Sequence, residues 1–255
     1  EGDLEDALEA LGREAVNAVK QGAQILVLDD SGLVDSNGFA MPMLLAISHV
    51  HQLLIKADLR MSTSLVAKSG ETREVHHVAC LLAYGANAIV PYLAQRTVEQ
   101  LTLTEGLQGT VVDNVKTYTD VLSEGVIKVM AKMGISTVQS YQGAQIFEAI
   151  GLSHDVIDRY FTGTQSKLSG ISIDQIDAEN KARLQGRHHA VNPEFIFLFH
   201  HPCKENDYAQ FKAYSEAVNK NRTDHIRHLL EFKACTPIDI DQVEPVSDIV
   251  KRFNT

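Results

Sequence analysis

The chain has 255 residues, 44% of them hydrophobic and 22% charged, with 23 Lys and Arg against 33 Asp and Glu and a formal charge of −10. This is the composition of a globular chain with core enough for one large domain or two ordinary ones. It argues against a helical membrane span, since no apolar run reaches about 18 residues, and against nucleic acid as a main partner, since phosphate binding needs a basic surface.

Elements in chain order begin with Asp3 to Gln21, where Leu4, Ala7, Leu8, Leu11, Ala15, Val16 and Val19 fall on one stripe. That spacing predicts an amphipathic helix closed by Gly22. "AQILVLDDSG" reads as a short buried strand from Ile25 to Leu28, ended by two acids and a glycine. "MPMLLAISHVHQLLIKA" returns to helical period, with Pro42 suited to a first turn. "LRMSTSLVAKSG" predicts a second strand, "ETREVHHVACLLAYG" a helix closing at Gly85, and "ANAIVPY" a third strand. A helix from about Leu93 to Leu101 precedes a long one over 113–133, whose Gly125 weakens its middle by about 1 kcal/mol. "ISTVQSY" is a fourth strand candidate and "GAQIFEAIG" a short helix.

Short apolar strands alternating with amphipathic helices imply a parallel sheet covered by helices, both faces buried. Four strands do not close an eight-stranded barrel. The fold is therefore α/β, either an open doubly wound sheet or part of a barrel. After Phe161 the character changes. "FTGTQSKLSGIS" reads as a loop or linker, and "IDQIDAENKARLQGRHH" as a polar helix capped by Asp174. Residues 190–235 predict two or three short helices, and the tail is extended and acidic. Residues 1–180 carry 12 Lys and Arg against 23 Asp and Glu, whereas 181–235 carry 9 against 6. The second segment is a weakly basic face that could dock on an acidic neighbour.

Ten of the eleven histidines fall in five close sets, but only His225 and His228 have the spacing of two ligands on one helical face. No metal site is expected from them. Cys80, Cys203 and Cys235 are far apart and form no CxxC, which fits buried or incidental thiols in a reducing compartment. "KSGETR" joins a strand end, a glycine and a helix start, the place where an α/β sheet binds anions. Lys68, Ser69, Gly70 and Arg73 are the candidates there, with His76 and His77 just beyond. The same residues also suit simple capping, with Ser69 as cap and Glu71 and Glu74 in a first turn. Asp29 and Asp30 end a strand on the same rim, where paired acids bind a metal, act as a base or cap a loop. There is no glycine-rich dinucleotide fingerprint, no phosphate-binding GKS or GKT loop and no GxSxG.

Taken together, "GAQILVLDDSG", "SLVAKSGETREVHHVACLLAYGANAIVPYLA", "KVMAKMGISTVQSYQGAQIFEAIGLS" and "DRYFTGTQSKLSGISIDQI" resemble the large chain of glutamate synthase. The resemblance runs through most of 1–185 and continues more weakly to "VEPVSDIVKRF". It implies residues 1–165 as the second half of that enzyme's central domain, a partial or vestigial (β/α) barrel-like unit. It implies 166–255 as a linker and the truncated start of the FMN-binding synthase domain, mostly helical and irregular. The missing initiator Met fits an excised fragment, a processed chain or leading residues that precede Glu1.

The implied parent reaction moves the amide nitrogen of glutamine reductively to 2-oxoglutarate, giving two glutamates. FMN and a 3Fe-4S cluster serve it, and neither is expected in this segment. The implied partners are the amidotransferase and synthase domains of the same chain, plus a reductant: a small subunit with NAD(P)H, or ferredoxin. The implied compartment is cytoplasm or plastid. Cys80, Cys203 and Cys235 match none of the family's catalytic or cluster motifs, so no catalytic, cofactor or metal residue is carried over. The implied role is a scaffold joining two active sites and the ammonia passage. The competing expectations are a self-standing flavin- or phosphate-binding α/β protein using Asp29, Lys68 and Arg73, and a pure protein–protein module.

Overall fold

The computed structural model describes residues 3–33, 40–104, 106–184, 196 and 199–200. Contacts group Glu1–Pro202 into one compact unit. Its first element is α1 (Leu4–Lys20), started by the Asp3 carboxylate, which accepts the Asp6 N–H at 2.9 Å. After β1 (Ile25–Asp29) comes α2 (Met43–Lys56), where every residue from Met43 to Val50 is buried. An amphipathic helix shows one face to solvent; α2 is wrapped by α1, β1, β2 and, later in the chain, α7 (His154–Tyr160). Gly12 makes the α1–α2 approach possible, because a Cβ there would strike Leu53 and His49. Arg159 of α7 clamps α1 through Glu5 and through Glu9 at 3.0 Å.

The first sheet continues with β2 (Ser64–Lys68), α3 (Val75–Ala83) and β3 (Ala88–Val90), in parallel order β1-β2-β3. Leu28, Ala67 and Ile89 are in register and face α2 and α3. Val27, Val66 and Ala88 share the other face. There Ile25 is 64% and Val27 53% exposed. The expectation that both faces are buried therefore fails. Among the described residues the covering helices lie on one side, as around a βα barrel, and not on both as in a doubly wound sheet. Three strands leave that barrel-like arrangement open.

Beyond β3, α4 (Tyr92–Thr104) and α5 (Val111–Met133) form a helical pair, α5 also packing on α3. Gly125 sits at that crossing, and a Cβ on it would strike Val75. It is a close-packing glycine as well as a weak helix former. A short helix, α6 (Val138–Tyr141), leads to β4 (Glu148–Leu152), α7, β5 (Gln165–Ile171), α8 (Ile173–Leu184) and β6 (Phe199–His200). The second sheet has order β5-β4-β6, with β4 parallel to β5 and antiparallel to β6.

Further expectations are corrected here. "ISTVQSY" is not a strand, because Thr137 accepts the Ser140 N–H and starts a helical turn. "GAQIFEAIG" supplies a strand, β4, whose Ala149 and Leu152 are fully buried; short apolar runs fit either element by period alone. The "loop" 161–172 contains β5, an edge strand with irregular register, and Gly170 lets it approach Gly151 backbone to backbone. The cap of α8 is also Ser172, which accepts the Gln175 N–H, rather than Asp174. Within 190–235, expected to be helical, Phe199–His200 is instead strand β6; apart from 196 and 199–200 that segment and the extended tail lie outside the described residues, as do Cys203, Cys235, His225 and His228.

Candidate functional site

At the carboxyl rim of the first sheet, β1 ends in Asp29 and β2 in Lys68, paired in register. The Lys68 Nζ donates to Asp29 Oδ2 and to Ser31 Oγ, both at 2.8 Å, and lies 5.7 Å from the Tyr92 ring centre. Asp29 also accepts the Ser31 N–H at 2.8 Å. Hydrogen bonds from Lys68 and Ser31 hold its carboxyl down at about 2.

Asp30 turns the other way. Both its oxygens lie 3.0 Å from the Gly70 N–H, and Oδ2 accepts the Ser69 hydroxyl at 3.1 Å. The Tyr92 phenol also bonds to Asp30; burial first, then that carboxylate, raise it to about 12. Ser69, fully buried, accepts the Glu71 N–H in turn. Glu71 does not belong to a first turn of α3. Its Oε2 accepts the Met43 N–H at 3.1 Å and so caps α2, where Pro42 offers no side-chain acceptor.

Helix α3 begins only at Val75, six residues after Ser69. Its cap residue Glu74 makes no side-chain capping bond, and His77, from inside the helix, ties down the chain just before it. The Arg73 N–H donates to His77 Nδ1 at 3.2 Å, which leaves Nε2 to carry the ring proton, 3.6 Å from Glu74 Oε1. Burial, Arg73 and His76 push His77 down to about 4, so the ring is neutral near pH 7. His76 lies edge-on to Phe147 with ring centres 6.1 Å apart, and its Nε2 is 3.5 Å from Cys80 Sγ. Cys80 is fully buried, and burial pushes its thiol up. The Arg73 carbonyl accepts the Tyr118 phenol of α5 at 3.0 Å.

The six sequence candidates thus sit along one connected segment, but not around one open pocket. Lys68, Ser69 and Gly70 join Asp29 and Asp30; Arg73, His76 and His77 join α3 to α5 and to Phe147. Sequence reasoning singled out the acids and the "SG" separately but did not pair them, and it passed over Tyr92. Two acids ending one strand opposite a Lys-Ser-Gly ending its neighbour carried that signal. An incoming anion would have to displace Asp30 and lie beside Asp29 and Glu71. Among the described residues no group of three or more His, Cys, Asp or Glu is placed to hold a metal, and no helix is long and apolar enough to cross a membrane.

The architecture defines an open, parallel α/β unit with a rim closed by its own side chains. Residues 1–153 match the family described as "Glutamate synthase central domain". Over 99% of its length the chain is 43% identical to the NADPH glutamate synthase large chain of Bacillus subtilis. It is 37% identical to a ferredoxin-dependent glutamate synthase of Arabidopsis thaliana over its full length, and 33% identical to the NADH glutamate synthase of Schizosaccharomyces pombe over 98%. The chain belongs to the glutamate synthase central domain family. It spans 18% of the first two of these relatives and 13% of the third. Among solved structures, a flavocytochrome b2 variant with benzoylformate aligns at TM-score 0.42 and 16% identity, over 51% of this chain and 31% of that one. A mandelate oxidase aligns at 0.42 and 20%, over 52% and 35%.

Proposed function

We propose that this chain is the bridging part of a glutamate synthase large chain, placed between its amidotransferase and synthase domains and contributing to the ammonia passage. The whole enzyme transfers the amide nitrogen of glutamine to 2-oxoglutarate, with reduction, to give two glutamates. Relatives named for NADPH, NADH and ferredoxin all match, so the reductant stays open between a small subunit with NAD(P)H and ferredoxin. The cytoplasm or a plastid is the compartment that goes with this reading. The junction with the synthase domain is placed within 166–255.

The observation that carries the scaffold reading is the closed rim. Asp30 occupies the Gly70 N–H, Glu71 occupies the Met43 N–H, and Lys68 is neutralised by Asp29. These residues do not fit the phosphate of FMN, which needs free donors and positive charge. The rim is thus not proposed as a seat for the FMN of the parent, and no reaction step is assigned to this segment. Instead, Ser69 to His77 serve domain contact and local order. The test is glutamate formation by the purified chain, supplied with glutamine, 2-oxoglutarate, FMN and a reductant. The expected rate is that of the blank, and turnover would overturn the reading.

A further inference from the structure

At the end opposite the rim, where the strands begin, lies a cavity of about 230 Å³. The later turns of α2 and α3 and the loops leading into β4 and β5 form its walls. Ile55, Ala83, Ile146 and Phe147 are its apolar side; His51 and Gln145 are the polar groups that matter most.

His51 is held in one tautomer. The Arg60 Nε–H donates to its Nδ1 at 2.8 Å, while the same guanidinium donates to the Thr63 and Gly85 carbonyls, each at 2.8 Å. Nδ1 is thus an acceptor, and the proton of the neutral ring sits on Nε2. That N–H makes no hydrogen bond among the described residues. Burial and the Arg60 charge keep His51 down at about 4, so the ring stays neutral.

Gln145 has φ +52, one of two left-handed non-glycine residues described. Such a conformation persists only where its surroundings enforce it. The Gly143 N–H donates to the Ala83 carbonyl at 2.8 Å and Gln142 Nε2 to the Ala86 carbonyl at 2.6 Å, pinning this loop on the end of α3. Gly163 leaves the room: a Cβ there would strike the Gln145 amide. That amide also has no hydrogen bond among the described residues.

Among the described residues no ionised side chain lines the cavity. The carboxyl ends of α2 and α3 lie on its side, which disfavours an anion, and none of the described lining residues is a carboxylate that would hold a cation. We propose that this cavity binds a small, uncharged, planar primary carboxamide. Its carbonyl accepts from His51 Nε2–H, its amide pairs with Gln145, and its ring lies against Ile146 and Phe147. The site is separate from the rim and does not depend on the bridging role.

The test is a titration of the ¹⁵N-labelled full chain with benzamide, benzoate and benzamidine, three probes of one shape and three charges. Benzamide is expected to give saturable shifts at Ala83, Tyr84, Gln145 and Phe147, and to bind about tenfold tighter than either charged probe. Gln145→Ala should weaken it about fivefold or more, and Gln145→Glu should turn the preference toward benzamidine. Absence of saturable shifts, equal binding of the three probes, or benzamide binding unchanged in a folded Gln145→Ala would overturn the proposal. The comparison of probes on the unaltered chain decides the matter even if a variant fails to fold.

Discussion

Asp29 and Asp30 are neighbours of the same residue type, yet the structure gives them different weights. Asp30→Ala strips the acceptor from the Gly70 N–H and the buried Ser69 hydroxyl, and also from Tyr92. Hydrogen bonds to a charged acceptor contribute about 1.5–3 kcal/mol each, and donors left unpaired add to the loss. Discounted for the partial exposure of the site, the expected destabilisation is about 3 kcal/mol. Asp29→Ala removes a pair whose side chains are 38% and 34% exposed, and Lys68 keeps Ser31 as a partner. With the Ser31 N–H contact included, that loss should be about 1 kcal/mol. Urea unfolding of the two variants followed by circular dichroism measures the difference. With a slope of about 2–3 kcal/mol per molar, Asp30→Ala should lower the midpoint by about 1 M and Asp29→Ala by less than half of that. Equal losses, or a larger one at Asp29, would refute the view that the rim is organised on Asp30.

The histidines predict an acid-labile fold. His51 and His77 are held at about 4 against 6.5 when free, so the unfolded chain takes up protons that the folded chain refuses. Stability is full above pH 6.5 and declines as the pH falls toward 4, by at most about 3 kcal/mol per histidine. Guanidinium midpoints at pH 7 and pH 5 check this, and His77→Gln should flatten the dependence; a midpoint that ignores pH contradicts it. Gly125→Ala would gain about 1 kcal/mol of helix propensity but forces a methyl into Val75, at about 1–3 kcal/mol. A lowered melting temperature is expected, and a raised one would show that α3 and α5 can separate freely.

Much of the first sheet was legible in the sequence. Ile25–Leu28, "SLVA" and "AIV" are short, apolar and bounded by turn residues, and each became a strand. What the sequence could not carry was which face is covered, because an apolar strand reads the same whether helices lie on one side or two. The second sheet was misread for a different reason. A buried five-residue strand has no period to separate it from a helix, and β5 is so polar and glycine-rich that only its pairing with β4 makes it a strand. At the rim the residue types were found but not their partners. Glu71 contacts a residue 28 positions away and Asp30 one 40 positions away, and local spacing does not encode such pairs. His77 is a possible site residue by its place in the sequence; fully buried, it ties the chain before α3 to the helix through the Arg73 N–H.

The central claim is that this segment couples two reactions without performing either. It is tested most directly in a full-length glutamate synthase carrying the segment, by comparing glutamine-dependent glutamate formation with its two halves, glutamine hydrolysis and ammonia-dependent glutamate formation. With Asp30→Ala, the account predicts that the coupled rate falls about tenfold while each half stays within about twofold, since misplacement of linked sites acts on transfer between them. A proportional fall in all three rates, or a coupled rate that does not change, would contradict it.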